Sequence, residues 1–282
     1  MSGLSHREEM MQSYKQPLVS IITVTLNSER HLEDTIRSVI NQTYPNIEYV
    51  IIDGGSTDST PDIIGKYGKN IARWISEPDK GIYDAMNKGI KMSTGEVIGI
   101  INSDDWYEPD TVEKVVKEAL ECQDCEVFHG NLMMCSPEGE KIFLYKPDPG
   151  FKNIWHDMTI LHPTCFVRKS IYEKHGLFND RYRIVADYDL MLRLLKAGVR
   201  FKYIDRVLAN QRTGGISCTR DRDAIIENRK IVINHGLSPV TAYYDMLFKL
   251  TKRRIHKFLE RHNMKAVIDF KKRFQKRKYY RQ

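Results

Sequence analysis

One apolar run that stops abruptly on two adjacent carboxylates constrains this chain more than any other feature. Five of the six residues from Val97 to Asn102 are apolar or glycine, and Ser103-Asp104-Asp105 follows at once. Such a run reads as a strand buried on both faces. Two neighbouring anions cost free energy unless a cation lies beside them. In an open α/β sheet, ligands bind beyond the carboxyl ends of the strands, so Asp104 and Asp105 stand where a metal-bound nucleotide is held. Mg2+ or Mn2+ needs one or two such hard oxygens and completes its shell with phosphates and water. The alternative is that Ser103-Asp104-Asp105 only caps the helix expected from Pro109 to Leu120.

The same pattern recurs along the first hundred residues. Leu18 to Val24 reads as a strand running into Thr25-Leu26-Asn27-Ser28, and the helix His31 to Asn41 follows with Leu32, Ile36, Val39 and Ile40 on one face. Ile47 to Ile52 is a second buried strand, ending in Asp53-Gly54-Gly55-Ser56-Thr57-Asp58-Ser59-Thr60-Pro61. Ile71 to Ile75 gives a short third strand and Tyr83 to Met92 a helix. This alternation specifies βαβ units, a mostly parallel sheet and helices on both faces. Asp53, just past its strand, can accept hydrogen bonds from a ribose or from the imide N–H of uracil or thymine, or it can organise its own loop as an Asx-turn. Neither GxGxxG nor GxxxxGK[ST] is present, so a mononucleotide site is expected rather than a dinucleotide or P-loop site.

Charge separates the chain into two parts. The net +7 over 282 residues conceals 14 Lys and Arg against two acids from Met246 to Gln282, which leaves the preceding 245 residues at −5. Five cysteines, an odd number in a chain without an apolar signal-peptide core, favour free thiols over a disulfide framework. Cys122 and Cys125 form a CxxC followed by His129 and Cys135, which admits a structural zinc, but buried thiols account for them as well. No apolar run approaches the roughly 18 residues of a membrane span. A cytoplasmic address, peripheral on the inner face of the membrane, is the expectation.

Several segments together carry a family resemblance. Val19-Ser20-Ile21-Ile22-Thr23-Val24-Thr25-Leu26-Asn27, Ser38-Val39-Ile40-Asn41-Gln42-Thr43-Tyr44-Pro45, Ile51-Ile52-Asp53-Gly54-Gly55-Ser56-Thr57-Asp58, Gly81-Ile82-Tyr83-Asp84-Ala85-Met86-Asn87-Lys88-Gly89 and Asn102-Ser103-Asp104-Asp105 stand in order. Their order and spacing resemble the family-2 glycosyltransferases of GT-A fold over about Pro17 to Ser217. The resemblance implies a Rossmann-like α/β sheet with a C-terminal helical basic extension. The leader is then 1–16, the catalytic domain 17–220, split into a nucleotide-binding half 17–107 and an acceptor half 108–220, and the extension 221–282.

The resemblance also implies roles. Val24 and Thr25 flank the nucleotide base, Asp53 reads its imide, Asp104 lies near the ribose and Asp105 holds the metal of a DXD-type motif whose first Asp is Ser103 here. Asn27 and Asn87 fall within the matching donor-site segments. Lys80 lies where a cation meets the donor's base or diphosphate, or is simply solvated. The run Ile184-Val185-Ala186-Asp187-Tyr188-Asp189-Leu190-Met191-Leu192-Arg193-Leu194-Leu195 resembles the family's acidic signature, in which the match to Asp187 is the catalytic base. Ala186 replaces the acidic residue that often precedes it, and Asp189 and Arg193 form an i,i+4 pair.

The remaining candidates concern the acceptor and the closing loop. Trp155 and His156 lie in an aromatic, irregular stretch where a ring can stack on a sugar or cover core. His162 lies in Ile160 to Arg168, read as a strand lining an acceptor cleft, and is either an acceptor contact or a hydrogen-bonded core histidine. Arg212 in Ala209 to Ser217 offers a fork for phosphate oxygens on a Gly-Gly loop. The processive Gln-x-x-Arg-Trp motif of the broader family is absent, so single transfers are expected.

The implied activity is inverting, metal-dependent transfer from a nucleoside-diphosphate sugar, a UDP-sugar by preference, to a glycan or lipid-linked glycan in surface polysaccharide synthesis. The competing reading is a catalytically silent nucleotide-sugar or glycan-binding module tethered by its basic tail. That tail, helices Arg222 to Asn234, Val240 to Arg261 and Lys265 to Arg281, reads as a basic amphipathic surface for an anionic membrane or as a helix packed on the domain. No nucleic-acid reader motif accompanies the charge, so no nucleic-acid partner is expected.

Overall fold

The computed structural model describes residues 16–214 and 221–261. The leader 1–15, residues 215–220 of the Gly-Gly loop and the expected helix Lys265 to Arg281 lie outside the described residues.

The first four strands are parallel and stand in the order β3-β2-β1-β4: β1 (Val19–Thr25), β2 (Ile47–Asp53), β3 (Arg73–Ser76) and β4 (Val97–Asn102). Between and after them run α1 (Leu32–Ile40), α2 (Thr60–Lys66), α3 (Ile82–Met92) and α4 (Thr111–Glu121). Alternation within each strand explains the layers. Val19 and Ile21 of β1, Tyr49 and Ile51 of β2, and Val97 and Ile101 of β4 pack under α1, α2 and α4. Ile22 and Val24, Val50 and Ile52, and Ile98 and Ile100 pack under α3. Gly89 lets α3 settle closely on β1, because a Cβ there would lie 2.4 Å from Ile22 Cγ2. The register pairs Thr25 with Asp53 and Val24 with Asn102, so three strand ends finish level on one edge.

The second half of the sheet is mixed. β5 (Trp106–Tyr107), β6 (Val127–Cys135), β7 (Lys141–Tyr145), β8 (Phe166–Arg168) and β9 (Phe201–Arg212) continue it, with β8 antiparallel to both β4 and β6 and β9 parallel to β6. Only the last three residues of the expected strand Ile160 to Arg168 join the sheet. Pro163 has no N–H to donate to a ladder, and residues His162–Thr164 form a single 3₁₀ turn instead.

α5 (Lys169–His175) and α6 (Ala186–Lys196) cover the α3 side of the sheet. α7 (Asp221–Asn234) and α8 (Pro239–Arg261) then pack on the outside of α6, where Tyr188 and Leu192 meet Ile231, Val232 and Ala242. No helix among the described residues is long and apolar enough to cross a membrane.

The cysteines depart from expectation. Cys122 and Cys125 are joined in a disulfide just after α4, while Cys135 and Cys165 are buried free thiols. Asp124 sits beside the pair, but sulfurs bonded to each other are not the thiolates a zinc requires. His129 is buried among Phe151, Phe201 and Tyr203, and burial pushes its pKa down to about 4.

Candidate active site

The level strand ends gather the nucleotide-side candidates. Val24 is buried beneath α3, so its side chain serves the core. Thr25 Oγ1 and Asn102 Oδ1, on adjacent strands of this edge, are buried without a hydrogen-bond partner. Orphaned buried polar atoms are rare and mark places where a partner is taken up. Asn27 adopts φ 49°, a left-handed conformation that Asn tolerates. Its N–H donates to Ser56 Oγ at 2.8 Å and its Oδ1 accepts from the Thr57 N–H at 2.9 Å, which clasps the loop after β2.

Asp53 is 0 % exposed and accepts from the Ser56 N–H at 3.0 Å and from the hydroxyls of Ser56 and Ser76. In this structure it organises its own loop. Lys80 is exposed on the approach to α3, and its backbone N–H donates to Asp84 Oδ2 at 3.1 Å.

The adjacent carboxylates are used differently. Asp105 is 1 % exposed; its Oδ1 accepts from the Arg212 N–H at 3.2 Å and its Oδ2 from Gln211 Nε2 at 3.4 Å. Burial, reinforced by the charge of Asp104, raises its pKa well above the usual carboxylate range. Asp105 is therefore a tie between the turn and β9. Asp104 is partly exposed, no side chain among the described residues bonds its carboxylate, and burial raises its pKa against the pull of His31 and Arg212. It is the carboxylate open to a ligand.

Two further candidates are engaged within the protein. Arg212 donates to Asp34 Oδ2 and to the Asp104 carbonyl oxygen, both at 2.7 Å, and its guanidinium lies 4.5 Å from the Trp106 ring centroid. With 9 % exposure, it is a strut that pins the Asp104-Asp105 turn rather than an open phosphate fork. Asn87 spends both ends on one residue, donating to the Phe178 carbonyl oxygen at 2.9 Å and accepting from the Phe178 N–H at 3.0 Å. It ties α3 to the segment that leads into α6.

Asp187 lies partly exposed in the first turn of α6. Its Oδ1 accepts from the Tyr188 N–H and lies 3.0 Å from Tyr83 Oη, which is also 2.8 Å from the Ile184 carbonyl oxygen. Tyr83 sits at the start of α3, on the same carboxyl edge as Asp104, and burial next to Asp187 raises its pKa well above the ordinary phenol value. It stays protonated and can donate.

From α7, Glu227 accepts from the N–H groups of Arg183 at 3.0 Å, Ile184 at 2.9 Å and Val185 at 3.3 Å. It closes the entry to the helix that carries Asp187. Asp189 is buried and bonded to His235 Nε2 at 3.0 Å, with Arg193 at 3.9 Å. His162 stands near Asp187 and packs against Phe178, with ring centroids 5.8 Å apart; burial lowers its pKa more than the Asp187 charge raises it. Trp155 instead packs in the cluster that joins α6 to α7 and α8.

Sequence reading alone did not single out Tyr83, Glu227, Gln211, Asp34 or Trp106 as site residues. Tyr83 lay inside a quoted motif, but its partner is 104 residues away, and nothing near Glu227 signals a cap.

The comparisons agree with this architecture. The profile described as Glycosyl transferase family 2 matches residues 20–176. The chain is 30% identical over 267 residues to chondroitin synthase of Pasteurella multocida, covering 92% of this chain and 28% of the relative. It therefore spans under a third of that enzyme's length. It is 31% identical over 209 residues to a PGL/p-HBAD biosynthesis glycosyltransferase of Mycobacterium tuberculosis, covering 72% of this chain and 80% of the relative. Among solved structures, Staphylococcus aureus TarS 1–349 in complex with UDP-GlcNAc superposes with a TM-score of 0.61 at 18% identity, covering 81% of this chain and 70% of that one. A mannosyltransferase of Pyrobaculum calidifontis in complex with GDP-Man and Mn2+ gives 0.60 at 17%, covering 85% and 73%. The structural likeness shows the GT-A fold, and the sequence matches show that this chain belongs to glycosyltransferase family 2.

Proposed function

We propose that this enzyme moves a single sugar from a nucleoside-diphosphate sugar, a UDP-sugar first among candidates, to a hydroxyl of a glycan or lipid-linked glycan, with inversion at the anomeric carbon. Its place is the synthesis of a surface polysaccharide or glycolipid. The observation that carries this reading is the open Asp104 carboxylate at the level carboxyl edge of β1, β2 and β4, an edge where Thr25 Oγ1 and Asn102 Oδ1 are also buried without a partner. In support, the named relatives are a chondroitin synthase and a PGL/p-HBAD biosynthesis glycosyltransferase, and the named structural neighbours are in complex with UDP-GlcNAc or with GDP-Man and Mn2+.

A divalent metal fits this site. Asp104 supplies one hard anionic oxygen in a half-buried position, which is as much as Mg2+ or Mn2+ needs from protein when phosphates complete the shell. Asp104 would hold such an ion, whose charge would offset that of the departing diphosphate. Lys80 stands free to add a second positive charge. Asp53 reads the base imide once Ser56 or Ser76 turns its hydroxyl away. Asp187 receives the proton of the attacking acceptor hydroxyl on Oδ2, since Oδ1 is held by the Tyr188 N–H and Tyr83. Neutral His162 beside it orients the acceptor. One base and one displacement give inversion.

Calorimetric titration of UDP, dTDP, GDP and CMP, with and without Mn2+, tests the reading. One diphosphate should bind only with metal, and Asp105→Asn should retain that binding. No binding of any nucleotide under either condition would overturn the proposal.

A further inference from the structure

The C-terminal helix α8 turns its apolar side away from the protein. Val240, Tyr244, Leu247, Phe248 and Ile255 are between 50 and 73 % exposed. At about 100° per residue they fall within an arc of about 100° along the helix. The opposite side is the packed one. Ala242 is buried in one cluster with Ile231 and Val232, Met246 Sδ lies 3.7 Å from Arg229 Nη1, and Lys249 Nζ donates to the His156 carbonyl oxygen. The helix is therefore docked through its small and polar face.

Charge identifies what covers the apolar arc. Exposed Lys252 and Arg254 flank it on its two sides, and exposed Lys257 lies beyond Arg254. The chain after α8, residues 262–282, carries eight Lys and Arg against one acid. That segment repels the rim of the arc, and so does the same face of a second copy. An anionic bilayer surface attracts it. The helix is 23 residues long, so about 35 Å of amphipathic surface is available, and it lacks the apolar length to span.

We propose that α8 lies in the plane of an anionic membrane, with Val240, Tyr244, Leu247, Phe248 and Ile255 among the acyl chains and Lys252, Arg254 and Lys257 at the lipid phosphates. The surface is separate from the donor site, and the proposal stands independently of the donor's identity. Its position has a consequence for the site. α7, between α8 and α6, carries Glu227, so the membrane seat is one helix away from the helix of Asp187.

The test uses the full chain and sedimentation with vesicles of phosphatidylcholine alone or enriched in phosphatidylglycerol. Binding is expected only to the anionic vesicles, falling about tenfold between low and high salt. The double substitution Leu247→Glu/Phe248→Glu should lower it about tenfold or more at unchanged melting temperature, because both side chains are already exposed. Lys252→Glu/Lys257→Glu should do the same. Absence of binding to anionic vesicles overturns the proposal. So does binding that ignores both variants, which would assign it to 262–282, and so does a dimer in light scattering that the apolar double variant dissolves.

Discussion

Asp104 and Asp187 reach the same edge of the sheet by different routes. Asp104 is delivered by its own strand: β4 is buried on both faces, ends level with β1, and the turn begins at Ser103, one residue before the carboxylate. Asp187 is delivered by its neighbours. Tyr83 from α3 meets its carboxylate, Glu227 from α7 caps the backbone that precedes it, and Asn87 holds Phe178 on the segment that leads in. Strand β4 carries Asp104 to the edge and a single distant strand, β9, fixes its turn through Gln211 and Arg212, whereas Asp187 is held by several separate elements. Substitutions far from Asp187 should therefore disturb chemistry more readily than substitutions outside β4 and β9 disturb donor binding.

The strongest way to break that contrast is at the base itself. Asp187→Asn should lower kcat about a thousandfold, the scale of a positioned general base. Steady-state transfer rates check this, and a kcat above a tenth of wild type would remove Asp187 from that role.

Next comes its remote support. Glu227→Ala leaves three N–H groups at the helix entry without their acceptor and should cost about 1–2 kcal/mol in urea unfolding, the scale of a lost cap. It should also lower kcat more than it changes the donor's Kd. Glu227→Gln, which keeps an acceptor oxygen, should recover part of both. If kcat is untouched while stability falls, the cap serves folding alone.

Asn87→Ala removes both bonds to Phe178 and should destabilise by about 1–2 kcal/mol with donor affinity unchanged. A donor Kd that rises in step would return Asn87 to the donor site.

Asp105 offers a subtler comparison with its neighbour. Its folded pKa is raised, so the native state binds more protons than the unfolded chain above the ordinary Asp value of about 4. Wild-type stability should therefore fall relative to Asp105→Asn as pH rises from about 4 toward the raised pKa. Parallel melting curves across pH show it, and a constant difference would mean that Asp105 does not titrate on folding.

The smallest effect is at Trp155. Trp155→Phe should leave the acceptor KM unchanged and shift stability by roughly 1 kcal/mol or less. A selective rise in that KM would place the ring at the acceptor after all.

The contrast also explains what could be read from the sequence. β1, β2 and β4 were legible because strands buried on both faces are dominated by apolar residues, even with Ser20, Thr23 and Glu48 among them, and each ends in a polar turn. Which of two adjacent aspartates faces outward was not, because Gln211 and Arg212 of β9 decide it from over 100 residues away. The apolar run from Ile160 to Arg168 masks the effect of Pro163, which lacks an N–H for the ladder and leaves only Phe166 to Arg168 in the sheet. The odd cysteine count pointed away from disulfides, but Cys122 and Cys125 meet across a tight turn with Cα atoms 5.3 Å apart, a local geometry that counting does not see. In α8 the apolar stripe was plain; that the helix docks through its other side is set by Ala242 against Ile231 and Val232.

The division between the two carboxylates is tested most directly by titrating the cognate nucleoside diphosphate with Mn2+ into Asp104→Asn and Asp187→Asn side by side. Loss of metal-dependent binding in Asp104→Asn, with wild-type affinity in Asp187→Asn, is the predicted result. Equal affinity in both variants, or equal loss in both, would contradict it.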